Sequence, residues 1–242
     1  YWILSDSMNK KKLLLFGGNG VIGQSVQLKF EQHNWDVWVV GRKSQLQSKY
    51  ICWNPVSENI ANDEKRILIE AGPFDGVCWS QGMNLSDNVF EFDIELHRQM
   101  YDANVIYILN SLNFLLKNNV VSSPAKFCVL SSIWQKISKQ NKLSYSVTKS
   151  ALQGLVLSAA NDMAKEGHMI NAVLPGAIET PMTRENLSDS QIKKIEQSTQ
   201  FNRLATLDDV SNAVYFTCSE LNSGMTGNFI TVDLGFSHAR NI

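Results

Sequence analysis

The sequence predicts an α/β fold, a doubly wound parallel sheet covered by helices on both faces. Three observations predict it. Short apolar runs alternate with longer segments of helical spacing along the chain, the pattern of strands joined by crossover helices. A glycine-rich turn, GGNGVIG, separates the first apolar run from the first helical segment. Small residues there let the backbone turn tightly and approach a diphosphate at the start of a helix. The length, 242 residues, suits one such domain with a sizeable core.

The elements follow in order. Residues 1–7, YWILSDS, continue no later pattern and carry too few apolar residues for a signal-peptide core. Met8 reads as the natural start, the first seven residues as a loose or added tail, and 8–242 as one domain. The expected strands are Lys12 to Phe16, Trp35 to Val40, Tyr50 to Trp53, Phe74 to Ser80, Lys126 to Ser132, Met169 to Leu174 and Asn228 to Val232. Helices are expected over Gln24 to Gln32, Asn62 to Ala71, Phe92 to Asn118 as one long element, and Ser146 to Glu166, with a further one over Leu207 to Leu221. Thr206 with Asp208 and Asp209 gives that last helix a cap and first-turn acids. Thr183 to Thr199 is polar and helix-compatible, which suits a mobile lid.

Composition excludes several classes of function. A formal charge of −1 gives no general attraction to nucleic acid. With 44% hydrophobic and 19% charged residues the chain reads as soluble, and no apolar stretch approaches the ~20 residues that cross a bilayer. Cys52, Cys78, Cys128 and Cys218 share no metal spacing and read as buried reduced thiols of a cytoplasmic protein. His33, His97, His168 and His238 are scattered, so no metal site is assigned.

The chemistry concentrates in SIWQKISKQNKLSYSVTK, Ser132 to Lys149. Tyr145 and Lys149 are four apart, which on a helix places phenol and ammonium on one face. A phenol with a pKa of roughly 10 needs a shift of about 3 units to ionise near neutrality, and a cation beside it supplies roughly 1 to 3. Ser132 fits as a donor to a substrate oxygen. Alone, YxxxK is also a chance pattern on many helices.

Ser132 closing an apolar run ahead of Tyr145 and Lys149, with a later apolar segment ending in Pro175-Gly176, resembles the short-chain dehydrogenase/reductase family. The likeness runs from Lys11 to Gly235. It implies a Rossmann-like seven-stranded sheet in the order 3-2-1-4-5-6-7. It also implies Tyr145 as acid/base, Lys149 as its activator and ribose ligand, and Ser132 as the substrate-oxygen donor. The fourth catalytic position falls on Asn104, in MYDANVIYIL, with the role of holding a proton-relaying water. The glycine turn would contribute Gly17, Asn19, Gly20, Val21, Ile22 and Gly23 to a cofactor. It departs from the family's usual TGxxxGxG, with Phe16 for the threonine and Val21 for the middle glycine. Asn54 stands where the family often has an aspartate near the adenine. In place of NNAG the chain has Trp79, Ser80, Gln81 and Gly82, so Ser80 and Gly82 are the cofactor candidates there. Pro175, Gly176 and Ile178 would meet the nicotinamide amide, and Thr180 the phosphates.

After the second strand comes Arg42 where an acid would select an NAD ribose, and an arginine can receive the phosphate of NADP. NADP(H) is therefore expected in preference to NAD(H), with Arg42 as a plain surface residue the alternative. The resulting function is hydride transfer between NAD(P)(H) and a carbonyl or secondary alcohol on a small-molecule substrate. Two alternatives stay open: a sugar-nucleotide epimerase or dehydratase, suggested by GxxGxxG, and a non-catalytic nucleotide sensor. Trp134 with Lys136, Lys139 and Lys142, and Arg184, Lys193 and Lys194 in the lid, fit an anionic substrate, or else form an ordinary solvated surface. Extra apolar residues (Val105, Ile106, Ile108, Leu109; Leu152, Leu155, Val156, Leu157) point to a homo-oligomer, tetramer or dimer.

Overall fold

A computed structural model describes residues 10–57, 60–180, 183–184 and 188–238. The expected tail at 1–7, Met8, and the Pro181-Met182 pair lie outside these residues. Seven strands form one sheet: β1 (Lys12–Phe16), β2 (Asp36–Gly41), β3 (Tyr50–Cys52), β4 (Phe74–Trp79), β5 (Val121–Leu130), β6 (Met169–Pro175) and β7 (Phe229–Val232). Their order is β3-β2-β1-β4-β5-β6-β7, and every pairing is parallel. The helices are α1 (Val21–Gln32), α2 (Asn62–Ala71), α3 (Ile94–Tyr101), α4 (Tyr107–Lys117), α5 (Leu143–Asp162), α6 (Asp189–Gln197) and α7 (Leu207–Cys218).

Side chains alternate across a strand, and the two faces of the sheet become two cores. Leu14, Phe16, Val77, Trp79, Phe127 and Val129 face Leu112 and Leu115 of α4 and Leu152 and Val156 of α5. Leu13, Leu15, Cys78, Cys128 and Leu130 face Val26 and Phe30 of α1 and Val210 and Val214 of α7. Trp79 stacks between Phe16 and Phe127, at 5.7 and 6.0 Å between ring centroids. Its indole N–H donates to the buried Ser111 hydroxyl at 2.8 Å, so a large aromatic is buried with its polar atom satisfied. The four cysteines are free thiols. Among the described residues no helix is long and apolar enough to cross a membrane.

Three boundaries differ from expectation for identifiable reasons. The long helix expected over Phe92 to Asn118 is two helices joined by a π turn, Asp102–Ile106. It starts at Ile94 because the Asp93 side chain accepts from the N–H groups of Glu95 and Leu96. Strand β5 begins five residues earlier than Lys126, at Val121, through a pairing with Phe74 that a register shift separates from the regular ladder. Helix α5 begins ahead of Tyr145, at Leu143, and gives way to a 3₁₀ turn at Ala164–Glu166. Of the apolar residues expected to need cover from another copy, Val105, Ile108, Leu152, Leu155 and Val156 are buried within the chain. Leu109 and Leu157 are exposed.

Candidate active site

Each strand from β1 to β6 delivers a candidate residue at its carboxyl end. Phe16 runs into Gly17, Gly41 into Arg42, Cys52 toward Asn54, Trp79 into Ser80, Leu130 toward Ser132, and Pro175 into Gly176. This is the edge where an open α/β sheet binds ligands, at the switch between β1 and β4.

The reactive cluster is built on the end of β5 and the first turns of α5. Ser132 is extended (φ −165°, ψ 159°), and its hydroxyl accepts from the Trp134 N–H, which starts a short 3₁₀ turn over Ile133–Gln135. Ser131 before it is anchored to the Val173 carbonyl at 2.9 Å. On α5, Lys149 lies with its Nζ 5.7 Å from the centroid of the Tyr145 ring. The ammonium is buried and donates to the Leu130 carbonyl at 3.0 Å. Burial pulls its pKa down to about 8. Burial likewise pushes the Tyr145 phenol up, and a side-chain hydrogen bond with Ser132 opposes the rise.

Asn104 sits in the π turn, a deformation that recurs at functional sites, and is 1% exposed. Its Oδ1 accepts from the Met83 N–H at 2.8 Å, and its Nδ2 donates to the Met83 carbonyl and to the Thr148 hydroxyl, each at 3.0 Å. Both amide hydrogens are thus committed. The side chain ties the loop after β4 to α5. Gly82 packs into the same corner: a Cβ there would lie 3.2 Å from Asn104 Oδ1 and 3.6 Å from Lys149 Nζ.

The glycine turn fits a dinucleotide on three counts. Gly17 has φ +78°, and a Cβ on it would meet the Gln81 backbone nitrogen at 2.6 Å; one on Gly23 would meet the Gly17 carbonyl at 2.3 Å. Helix α1 starts at Val21 and Ile22 after Gly20 with no side-chain cap and no acid in its first turn, leaving its N–H groups and positive end for an anion. The side-chain amide of Gln81, against Gly17, has both polar atoms buried without a hydrogen-bond partner, which a ligand with hydroxyl or phosphate oxygens would satisfy. Asn19 is held by the Tyr50 hydroxyl at 3.4 Å. Arg42 is exposed beyond β2. Asn54 closes a tight turn, its Oδ1 accepting from the Val56 N–H at 3.4 Å. The Ser80 hydroxyl donates to the Phe16 carbonyl at 2.8 Å and so joins β4 to the glycine turn.

Beyond β6, Ile178 is buried and bridges to Ala205, and Thr180 bonds to Thr183 through backbone and hydroxyl. Arg184, expected as a lid cation, is occupied: it forks onto Glu179 at 2.8 and 2.6 Å and approaches Glu196 at 3.9 Å. Trp134 is half-buried, with Lys139 Nζ 5.4 Å from its ring centroid, while Lys136 is exposed. The cation nearest the reactive phenol besides Lys149 is Lys142, 5.6 Å from the Tyr145 centroid.

Residues 57–237 match the family model described as enoyl-(acyl carrier protein) reductase. The chain belongs to the short-chain dehydrogenase/reductase family. Membership makes it an oxidoreductase by family. Its curated relatives include the 3-oxoacyl-[acyl-carrier-protein] reductase FabG of Buchnera aphidicola, 27% identical over 94% of this chain and 98% of the relative. A glucose 1-dehydrogenase of Gluconobacter oxydans is 25% identical, covering 96% and 94%. Among solved structures, ElxO with NADP bound superposes with a TM-score of 0.84 at 25% identity, covering 95% of this chain and 99% of that one. These short-chain reductases and dehydrogenases match this chain over nearly their whole length.

Proposed function

We propose that the protein is an NADP(H)-dependent reductase that interconverts a carbonyl and a secondary alcohol, with Tyr145 as the proton-transferring group. The observation that carries this reading is the meeting of Ser132, Tyr145 and Lys149 at the strand edge that also holds a glycine cradle fitted to a dinucleotide. Bound NADPH supplies the hydride.

The chain's own residues do the rest. Gly17, Asn19, Gly20, Val21, Ile22 and Gly23 hold the diphosphate, Arg42 receives the ribose phosphate, and Asn54, Ser80 and Gly82 flank the adenosine side. Pro175, Gly176, Ile178 and Thr180 bound the nicotinamide side. Ser132 donates a hydrogen bond to the substrate oxygen. Tyr145, whose burial holds it protonated near neutrality, gives its proton to that oxygen as the carbon is reduced, so the reductive direction is the one this phenol is poised for. Lys149, whose depressed pKa leaves it partly neutral at mildly alkaline pH, lies beside the phenol and steadies the phenolate left behind. Asn104 locks Lys149's helix to the loop carrying Gly82. The enzyme acts in the cytoplasm, as a homo-oligomer.

The relatives reduce or oxidise acyl-carrier and sugar substrates by name, and Trp134, Lys139 and Lys142 at the mouth favour one bearing negative charge. A panel of ketones, 3-oxoacyl thioesters and sugars, assayed with NADPH and NADH by loss of reduced-nicotinamide absorbance, tests the reading. Turnover with NADPH that Tyr145→Phe abolishes supports it. Cofactor binding without turnover on any class would favour a nucleotide sensor.

A further inference from the structure

We propose that Asp87 is a positioning residue for Tyr145: from a separate loop it caps the catalytic helix and sets the charge in which the phenol ionises. The proposal rests on the reading of Tyr145 as the proton-transferring group.

A helix start leaves its first N–H groups without partners, and α5 supplies none itself. Lys142 at its cap position makes no side-chain capping bond, and the first turn holds no acid. Asp87 supplies them from the loop between β4 and α3. Its carbonyl accepts from the Leu143 N–H at 3.3 Å. Its Oδ1 accepts from the Ser144 N–H at 2.9 Å, and its Oδ2 accepts from the Ser144 hydroxyl. Ser144 is 1% exposed and lies 2.8 Å from Nδ1 of His97 on α3. The neighbouring Lys142 is held by the same loop, through Asn84 at 2.7 Å and the Leu85 carbonyl at 3.5 Å. The loop that begins at Gly82 therefore binds the first turn of α5 along its length, and Tyr145 follows Ser144 directly. Any rotation of that turn displaces the phenol.

The capping group is also charged. Lys142 and Lys149 both approach the Tyr145 ring, at 5.6 and 5.7 Å, and favour its ionisation, as does the positive end of α5. Ser132 bonds to the phenol without charge. Asp87 acts against the cations through Ser144. His97, Glu91 and Asp93 line a cavity of about 70 Å³ with Asp87 and Ser144, the residue before Tyr145. Removing the charge of Asp87 then lowers the pH at which Tyr145 ionises, whereas a group that only holds the helix would leave that pH alone.

Asp87→Asn keeps a side chain that caps helices and removes the charge; Asp87→Ala removes both. Two measurements need no substrate: the tyrosinate absorbance titration of each protein against the same protein carrying Tyr145→Phe, and amide exchange at Leu143 to Ser146. In Asp87→Asn the Tyr145 midpoint should fall by about half a unit or more, with exchange close to wild type. In Asp87→Ala exchange in that turn should rise roughly fivefold or more. With an active substrate, Asp87→Ala should lower kcat with little change in KM, and Asp87→Asn should restore most of it. An unmoved midpoint in Asp87→Asn overturns the electrostatic role, and unchanged exchange in Asp87→Ala overturns the cap. If Asp87→Ala does not fold, Asp87→Gly replaces it, which likewise removes the Oδ1 acceptor of the Ser144 N–H, with the same expected rise in exchange. A protein that shows these shifts but no turnover counts against the proposed reaction and leaves the role of Asp87 intact.

Discussion

Lys149 and Leu130 meet across the site, the lysine Nζ donating to the leucine carbonyl at 3.0 Å with the lysine 4% exposed. Holding an ammonium there has a cost that pH reveals. The native pKa is about 8 against 10.5 in the unfolded chain. Between those values the unfolded state binds more protons, so stability rises with pH across that window, and below about 8 the full penalty applies. A shift of that size corresponds to about 3 kcal/mol as an upper bound. Lys149→Met removes the titrating group. The unfolding free energy of wild type relative to Lys149→Met should therefore climb from about pH 8 to about pH 10.5 by up to that amount. A difference that stays flat in denaturant titrations across the window would contradict a buried, titrating Lys149.

Tyr145→Phe should keep the ring's packing and NADPH affinity within about twofold while lowering kcat by on the order of 10²- to 10⁴-fold. Because burial raises the phenol's pKa, the protonated acid persists through neutral pH, and the wild-type reductive rate should fall only on the alkaline side. Fluorescence titration of NADPH and a pH–rate profile read both. A reductive rate that rises with pH would assign the proton to another group.

The strands and most helices were legible because alternation along each strand and a glycine turn at the first crossover are local patterns, while the order of the strands came from the family resemblance. Phe16, Val77 and Trp79 alternate with Leu15 and Cys78 between two cores just as their spacing requires. The pairing of Tyr145 with Lys149 was legible for the same reason, being an i, i+4 relation. What the sequence hid is contact between distant segments. Nothing near Asn104 signals a π turn, nor the contacts its side chain makes there with Met83 and Thr148. Nothing near Asp87 signals a cap for a helix that starts 56 residues later, at Leu143 (143 − 87). The pairing of Arg184 with Glu179 was hidden in the same way, since a charge count does not show which acid a lid cation meets.

Arg42→Ala should weaken NADPH binding roughly tenfold to a hundredfold and leave NADH nearly unchanged, since a charge-assisted contact to a phosphate contributes on the order of 1.5 to 3 kcal/mol. Arg42 is exposed at the end of β2 with no acid beside it in sequence, as a phosphate-receiving position requires. Calorimetric titration of both cofactors into both proteins decides the matter. Equal affinities in the wild type would remove the preference.

Helices α3, α4 and α5 leave Ile94, Leu96, Leu109, Val147 and Leu157 exposed, at 43 to 49% of their surface. Exposed apolar residues on these helices are what a second copy would cover. Light scattering at micromolar concentration should give a dimer or tetramer, and Leu157→Lys with Leu109→Lys should shift it toward monomer. A monomeric wild type would show that these residues are only solvated surface.

The charge of the substrate is the last expectation, and the structure changes which residues carry it. Lys136 is exposed, and Arg184 is paired with Glu179. Lys139 and Lys142 instead lie over the rings of Trp134 and Tyr145. Burial lowers the pKa of Lys142, with Lys139 adding to the fall and Asp87 opposing it. An anionic group there would relieve that repulsion and stack against Trp134. KM should then rise with ionic strength, since surface attraction is screened within a Debye length of about 10 Å at 0.1 M salt. Lys139→Gln should raise KM several-fold with kcat changed less, and by more than Lys136→Glu does, since Lys139 is the one that lies over the Trp134 ring. If the best substrate from the panel is uncharged, or KM ignores both salt and Lys139→Gln, the two lysines serve only to hold the turn between Ser132 and Tyr145.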